Sequence, residues 1–182
     1  ADLSDSEIAA VLDHLDGRYE RQGRAKPLIP ASPQGRMLQG LWMSLYNLGL
    51  IDDKSDRALV AFIKRQTHLG DAHWLRSHTD IEKVAEALKS WLAREGGVEW
   101  KPRRGDMPHM RFPSFRVCEA QWALLCRIDA QPCENLSIFA ARVHGGRAPG
   151  PEQFTNAHWG HVSRKLGHVL RQQPALMAGR RA

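Results

Sequence analysis

The 182-residue sequence predicts an all-α protein built from repeated three-helix units. Capping residues at Ser77 and Thr155 are each followed by apolar residues 7, 11 and 15 positions further on, and Ser4 begins a partial third copy. A tryptophan-centred helix precedes each complete copy. The chain lacks the strict alternation of apolar and polar residues that is typical of strands. An internal repeat of this kind favours an array of small helical units with binding surfaces.

The order of these elements divides the chain into five segments. Two are complete units, and the others are an N-terminal remnant, a linker and a tail. In chain order they are 1–34 (N-terminal helix and Pro/Gly-rich connector), 35–97 (first unit), 98–115 (basic linker), 116–173 (second, basic unit) and 174–182 (flexible tail). Because the chain starts inside a partial unit, we also expect a further N-terminal segment in the natural protein.

Seven helices are predicted, and capping residues, glycines and prolines set their limits. Their ranges are 4–21, 35–49, 55–67, 77–94, 116–129, 134–144 and 155–172. Their apolar stripes predict two cores, each centred on a tryptophan. The predicted core residues are Trp42, Phe62, Trp74, Val84 and Leu88 in the first unit, and Trp122, Phe139, Val162 and Leu166 in the second.

Positive charge is concentrated in the second half of the chain. Residues 1–100 hold 13 Lys/Arg and 15 Asp/Glu, a net charge of −2, whereas residues 101–182 hold 13 Lys/Arg and 5 Asp/Glu, a net charge of +8. This asymmetry predicts that the C-terminal half contacts a polyanion, of which DNA is the obvious candidate.

The last helix carries one group of candidate DNA contacts. As the third helix of a three-helix unit, it has the position of the recognition helix in a helix-turn-helix protein. Its equivalent over 77–94 has mixed charge, so the two copies share a core pattern and differ in surface. The alternative is an ordinary solvated face. The candidate contacts are His161, Arg164, Lys165, His168 and Arg171.

The linker carries a second group of candidate DNA contacts. Its cations are interleaved with aromatic residues, a pattern that suits binding along a phosphate backbone. The alternative is a linker that is merely soluble. The candidate residues are Lys101, Arg103, Arg104, Arg111 and Arg116.

The sequence offers little support for catalysis, a cofactor or a metal site. Asn156, His158 and His161 superficially match a His-Asn-His nuclease arrangement, but they lie at one helix start without the strands that such a site needs. The histidine and cysteine spacings match no zinc pattern. No apolar run approaches the roughly 20 residues that span a membrane. Three cysteines without a secretory signal indicate reduced thiols and a cytoplasmic location.

The densest sequence signature lies over residues 37–95. Its elements are Leu41-Trp42, Asp52-Asp53, Ala58-Leu59, Phe62, Arg65-Gln66-Thr67, Trp74-Leu75 and the run from Leu88 to Arg94. In this signature the chain resembles the GemA family of regulatory proteins from Mu-like phages and prophages. The resemblance implies an early phage protein that modulates host gene expression, with links to DNA supercoiling and gyrase. It implies no catalytic residues.

We therefore predict a non-enzymatic, DNA-binding regulatory protein that modulates host gene expression or DNA topology. The alternative is a protein-interaction module that docks on a host factor, such as DNA gyrase or a transcription component, without touching DNA. The sequence leaves open whether the two units pack together or move independently on their linker.

Overall fold

The computed structural model describes residues 28–67, 77–145 and 149–173, and within these ranges the chain is helical without any strand. The helices are α1 (Pro33–Asn47), α2 (Asp56–Thr67), α3 (His78–Gly96), α4 (Pro113–Cys126), α5 (Leu136–Val143) and α6 (Asn156–Arg171). Two 3₁₀ turns cover Pro108–Arg111 and Pro151–Gln153. The predicted all-α class is confirmed. The helix predicted over 4–21, the tail 174–182 and Trp74 lie outside the described residues.

Local capping chemistry sets the helix limits. The hydroxyl of Ser77 accepts from the backbone N–H of Asp80 at 3.2 Å and begins α3. Gly97, with a φ of 71°, ends that helix in the left-handed conformation that favours glycine. Helices α1 and α4 begin two and three residues earlier than predicted, at Pro33 and Pro113. Proline suits a first helical position because no N–H is needed there.

The buried apolar residues of both halves form one continuous cluster. Helix α1 packs on α3 in the first half, α4 packs on α6 in the second, and α1 also packs directly against α6. The two halves are therefore joined by helix packing in addition to the linker. The full repeat of the three-helix unit stays a prediction.

The contact between α1 and α6 is organised by Gln121 of α4. Its side chain is fully buried, and its Nε2 donates to the carbonyls of Asn47 and Ser163, both at 3.0 Å. One amide thus bridges three helices. At the same place a Cβ on Gly167 would lie 2.9 Å from both the Cα and the carbonyl oxygen of Asn47. Only glycine allows the two backbones to approach this closely.

Arg171 closes the end of the same junction. Its guanidinium lies 3.6 Å from the centroid of the Tyr46 ring and donates to the carbonyl of Ile51 at 2.9 Å. Asp52 is 3.9 Å away. Arg171 therefore holds α6 against the end of α1, a structural role beside which its assignment as a DNA contact stays a prediction.

The two predicted tryptophan–phenylalanine pairs have similar geometry. The ring centroids lie 5.7 Å apart for Trp42 and Phe62 and 6.0 Å apart for Trp122 and Phe139. The first pair is buried, as are Val84, Leu88, Val162 and Leu166. The second pair is only half-buried.

The core of the second half is centred on Trp159 instead. Trp159 is fully buried, and the Phe115 ring meets it edge to face at 4.7 Å. Trp122 lies nearer the edge because α5, which carries its partner Phe139, has eight residues where α2 has twelve. A shorter helix covers less of its neighbour, so Trp122 is not the centre that the sequence predicts.

Replacing Gly167 tests the helix junction. We expect Gly167→Ala to lower the free energy of unfolding by about 2 kcal/mol, because the new methyl group meets the α1 backbone and overpacks the contact. Gly40→Ala is the matched control, since no described atom lies within 4 Å of a Cβ there. It should raise stability by about 0.5–1 kcal/mol. Urea denaturation measures both, and equal effects would contradict the close approach.

Candidate functional site

Helix α6 presents an exposed cationic face opposite its buried apolar stripe. Thr155 caps the helix, and its buried positions include Trp159 and Leu166. Arg164 and Lys165 are exposed on the other side. In the described part of the chain, neither has a carboxylate within 4.0 Å. Their charges are therefore available to an anionic partner.

The two histidines predicted on this face differ in their surroundings. His168 is exposed, with its Nε2 3.1 Å from Nε2 of Gln172. His161 is half-buried, and its ring centroid lies 5.2 Å from that of His144. Burial, followed by the charges of nearby cations including Arg164, lowers the pKa of His161 below its usual 6.5. His161 therefore carries less positive charge near neutral pH than an ordinary histidine, and its assignment as a DNA contact stays a prediction.

Arg116 is an internal ion-pair partner. It is only 2% exposed, and its guanidinium pairs with Asp106 and, at 2.9 Å, with Glu119. The backbone N–H of Arg103 and the Arg116 guanidinium hold the pKa of Asp106 below its usual value. Arg116 cannot reach a phosphate while it is buried in this network, so the sequence-based assignment is wrong.

Arg103 belongs to the ion-pair network of Arg116, Asp106 and Glu119, but its side chain also reaches the protein surface. Its guanidinium contacts Glu119 at 2.7 Å, and its side chain is 53% exposed. Its charge is therefore partly neutralised, unlike those of Lys101, Arg104 and Arg111. These three are exposed, and no described carboxylate pairs with them.

The structure brings part of the linker against the start of α6. The ring of His109 stacks on Trp159 with centroids 6.0 Å apart, which places the turn Pro108–Arg111 beside the helix. The backbone N–H of Ser114 donates to Asn156 at 3.1 Å. No sequence pattern predicted that His109 is buried. We use the name basic surface for the exposed cations of the linker and of α6 that have no described carboxylate partner; its members are Lys101, Arg104, Arg111, Arg164 and Lys165.

An open groove lies beside the basic surface. Helices α1 and α6 touch near Gly167, and residues of both helices and of the start of α4 line an open space toward their N-termini. Two adjoining cavities of about 490 and 230 Å³ occupy this space and share Gly40, Ser44 and Ser114. We call it the α1/α6 groove; its further lining includes Met37, Gly160 and Ser163 and the cations Arg36, Lys89 and Arg164.

Other chemistry has little support in the described ranges. They hold no group of three or more His, Cys, Asp or Glu side chains that could bind a metal ion. Burial raises the pKa of the Cys118 thiol, which donates to the carbonyl of Trp159 at 3.3 Å and stays protonated. Among the described helices, none combines the length and apolar character needed to cross a bilayer.

The fold and these surfaces define a small helical protein with a basic surface and an open groove. The family model described as "Bacteriophage Mu, GemA protein" matches residues 1–94, just over half of the chain. The chain therefore belongs to the GemA family, and the predicted resemblance is confirmed. Helices α4 to α6 lie outside the matched residues. No curated protein and no solved structure matches the chain significantly.

Removing Arg116 should destabilise the fold. In Arg116→Ala the largely buried Asp106 and the neighbouring Glu119 lose their shared cation, so we expect the melting temperature to fall by roughly 5–10 °C. Arg111→Ala removes an exposed charge and should change it by less than about 2 °C. Calorimetry measures both, and an unchanged melting temperature in Arg116→Ala would refute the structural role.

The surroundings of His161 predict a pH dependence. Because its pKa is lower in the folded than in the unfolded chain, protonation favours unfolding, and stability should fall as the pH drops below 6.5. In urea denaturation between pH 7.5 and 5, the free energy of unfolding should fall less in His161→Gln than in the wild type. The control His168→Gln, at an exposed position, should leave the fall unchanged. Equal curves for wild type and His161→Gln would contradict the assignment.

Proposed function

We propose that this Mu-like phage protein binds DNA without catalysing a reaction, mainly through phosphate contacts, and so modulates host gene expression or DNA topology in the bacterial cytoplasm. The observation that carries the proposal is the basic surface. Its five cations are exposed and have no described carboxylate partner. Each phosphate contact made by such a cation releases condensed counterions from DNA, which favours association.

A comparison with α3 strengthens this proposal. On α3 the cations have acidic neighbours: Lys89 lies 2.9 Å from Glu86, and Lys83 lies 3.7 Å from Asp80. These pairs cancel much of the local field. Arg164 and Lys165 of α6 have no described carboxylate within 4.0 Å, so of these two helices α6 carries the stronger positive field toward a polyanion.

The packing of α6 favours phosphate contacts over reading of base edges. A recognition helix contacts bases with its N-terminal residues. At the start of α6, however, Trp159 is fully buried and Asn156 is bonded to the N–H of Ser114. The free cations, Arg164 and Lys165, lie further along the helix. We therefore propose that α6 lies across the DNA backbone and does not enter the major groove end-on.

The second candidate is docking on a host protein such as DNA gyrase or a transcription component. The near-neutral surface of α3 favours it, because internally paired charges leave little field to attract DNA and little to repel a protein. In this case the positive charge on α6 would complement an acidic patch on that partner.

Fluorescence-anisotropy titration with a labelled random duplex at several salt concentrations tests the DNA proposal. For the double variant Arg164→Ala/Lys165→Ala we expect weaker binding and a salt slope that is less steep by about 2, one for each lost phosphate contact. Lys64→Ala/Arg65→Ala is the matched control, since it removes two adjacent exposed cations from α2. Its slope should equal that of the wild type.

Two results would contradict the DNA proposal. One is no binding by the wild type even at low salt. The other is an identical loss in both double variants, which would mean that only net charge matters. Recovery of a single host protein after nuclease treatment, together with either result, would favour the docking alternative.

A further inference from the structure

The α1/α6 groove is lined by small and apolar residues. Its floor carries small residues: no described atom lies within 4 Å of a Cβ built on Gly40, and only the Ser114 hydroxyl, at 3.6 Å, lies within 4 Å of one on Gly160. Met37, 42% exposed, lines one side with apolar surface. Small floor residues let a second backbone approach closely. Burial of an apolar helix face against the apolar lining would stabilise the contact.

The unpaired charges that line the groove are positive. Arg36 and Arg164 line it without a described carboxylate within 4.0 Å, whereas Lys89, which also lines it, pairs with Glu86 at 2.9 Å. No Asp or Glu belongs to the described lining. The first residues of three helices, Pro33, Pro113 and Asn156, line its wider end. The N-terminus of a helix carries a partial positive charge that favours anions. The best-matched occupant therefore has one apolar face and acidic flanks.

One segment of this chain has that chemistry. The sequence predicts a helix over 4–21 whose apolar stripe comprises Ile8, Val11, Leu12, Leu15 and Tyr19. The segment holds five Asp/Glu and two Lys/Arg, a net charge of −3. Asp5 and Asp16, three helical turns apart, border the stripe on the same side. These residues lie outside the described ranges, so the match rests on their sequence.

The chain lengths also fit. A helix of 18 residues is about 27 Å long, and the 15 residues of α1 extend for about 22 Å. Residues 22–27 can reach about 20 Å when extended. The described chain begins at Leu28, and Ile29 is buried next to Gly35 at the start of α1, beside the wider end of the groove. The segment can therefore turn back into the groove of its own chain.

We propose that residues 4–21 dock as an acidic amphipathic helix in the α1/α6 groove of the same chain. The apolar stripe covers the floor, and the acidic flank faces the cations. Because Arg164 belongs to both the groove and the basic surface, the docked helix competes with DNA for that residue. The docking itself does not depend on DNA binding, so it can hold or fail separately from the proposed function.

Photo-crosslinking of the full chain tests this docking. We would incorporate p-benzoylphenylalanine in place of Met37, which lines the groove, and identify the crosslinked peptides by mass spectrometry. The matched control is the same substitution at Met107, which is 49% exposed and lies outside the groove lining. We expect crosslinks from position 37 to residues 4–21, at several times the yield from position 107. Met43, also on the groove, serves if the variant at 37 does not fold.

A charge variant separates specific docking from chance proximity. Asp5→Lys/Asp16→Lys should reduce the crosslink yield several-fold, whereas Asp13→Lys, on the opposite side of the predicted helix, should not. Mixing ¹⁴N- and ¹⁵N-labelled protein distinguishes crosslinks within one chain from those between chains. Equal yields from positions 37 and 107, or a crosslink only to a second copy or to a host protein, would overturn the proposal.

Discussion

The buried amide of Gln121 is the interaction on which the arrangement of this protein depends. It donates to one carbonyl at the end of α1 and to one within α6, at 3.0 Å each, from a helix that packs between them. An unpaired buried amide costs free energy, so the three helices are stabilised in the one geometry that satisfies these bonds. The contact at Gly167 follows from that geometry. Helices α1 and α6 meet there, and the groove reaches the first residues of both helices at their other ends.

The same arrangement divides the arginines into two kinds. Arg116 and Arg171 are used inside the protein, where one neutralises Asp106 and Glu119 and the other holds α6 against Tyr46. The cations of the basic surface have no such role in the described structure. The net charge of the chain includes the internally paired arginines and the cations of the basic surface alike. Only the cations of the basic surface are available to a polyanion.

Much of the fold could be predicted from local signals. Ser77, Thr155 and Gly97 define helix ends through capping chemistry that depends only on nearby residues, and their helices form as predicted. The contacts between halves could not be predicted in this way. Gln121 reaches residues 74 and 42 positions away in sequence, and Asp106 pairs with Arg116 across a turn that has no sequence signature. For that reason the sequence identified cations but not which of them are buried.

The most direct test of the account is a ¹H–¹⁵N NMR titration of the full chain with a short random duplex at low salt. The account predicts amide shift changes concentrated over residues 101–111 and 160–168, where the basic surface lies, with α2 and the exposed face of α3 unaffected. Changes centred on α2 and α3, or no changes at all, would contradict the claim that the unpaired cations of the second half form the DNA-binding surface.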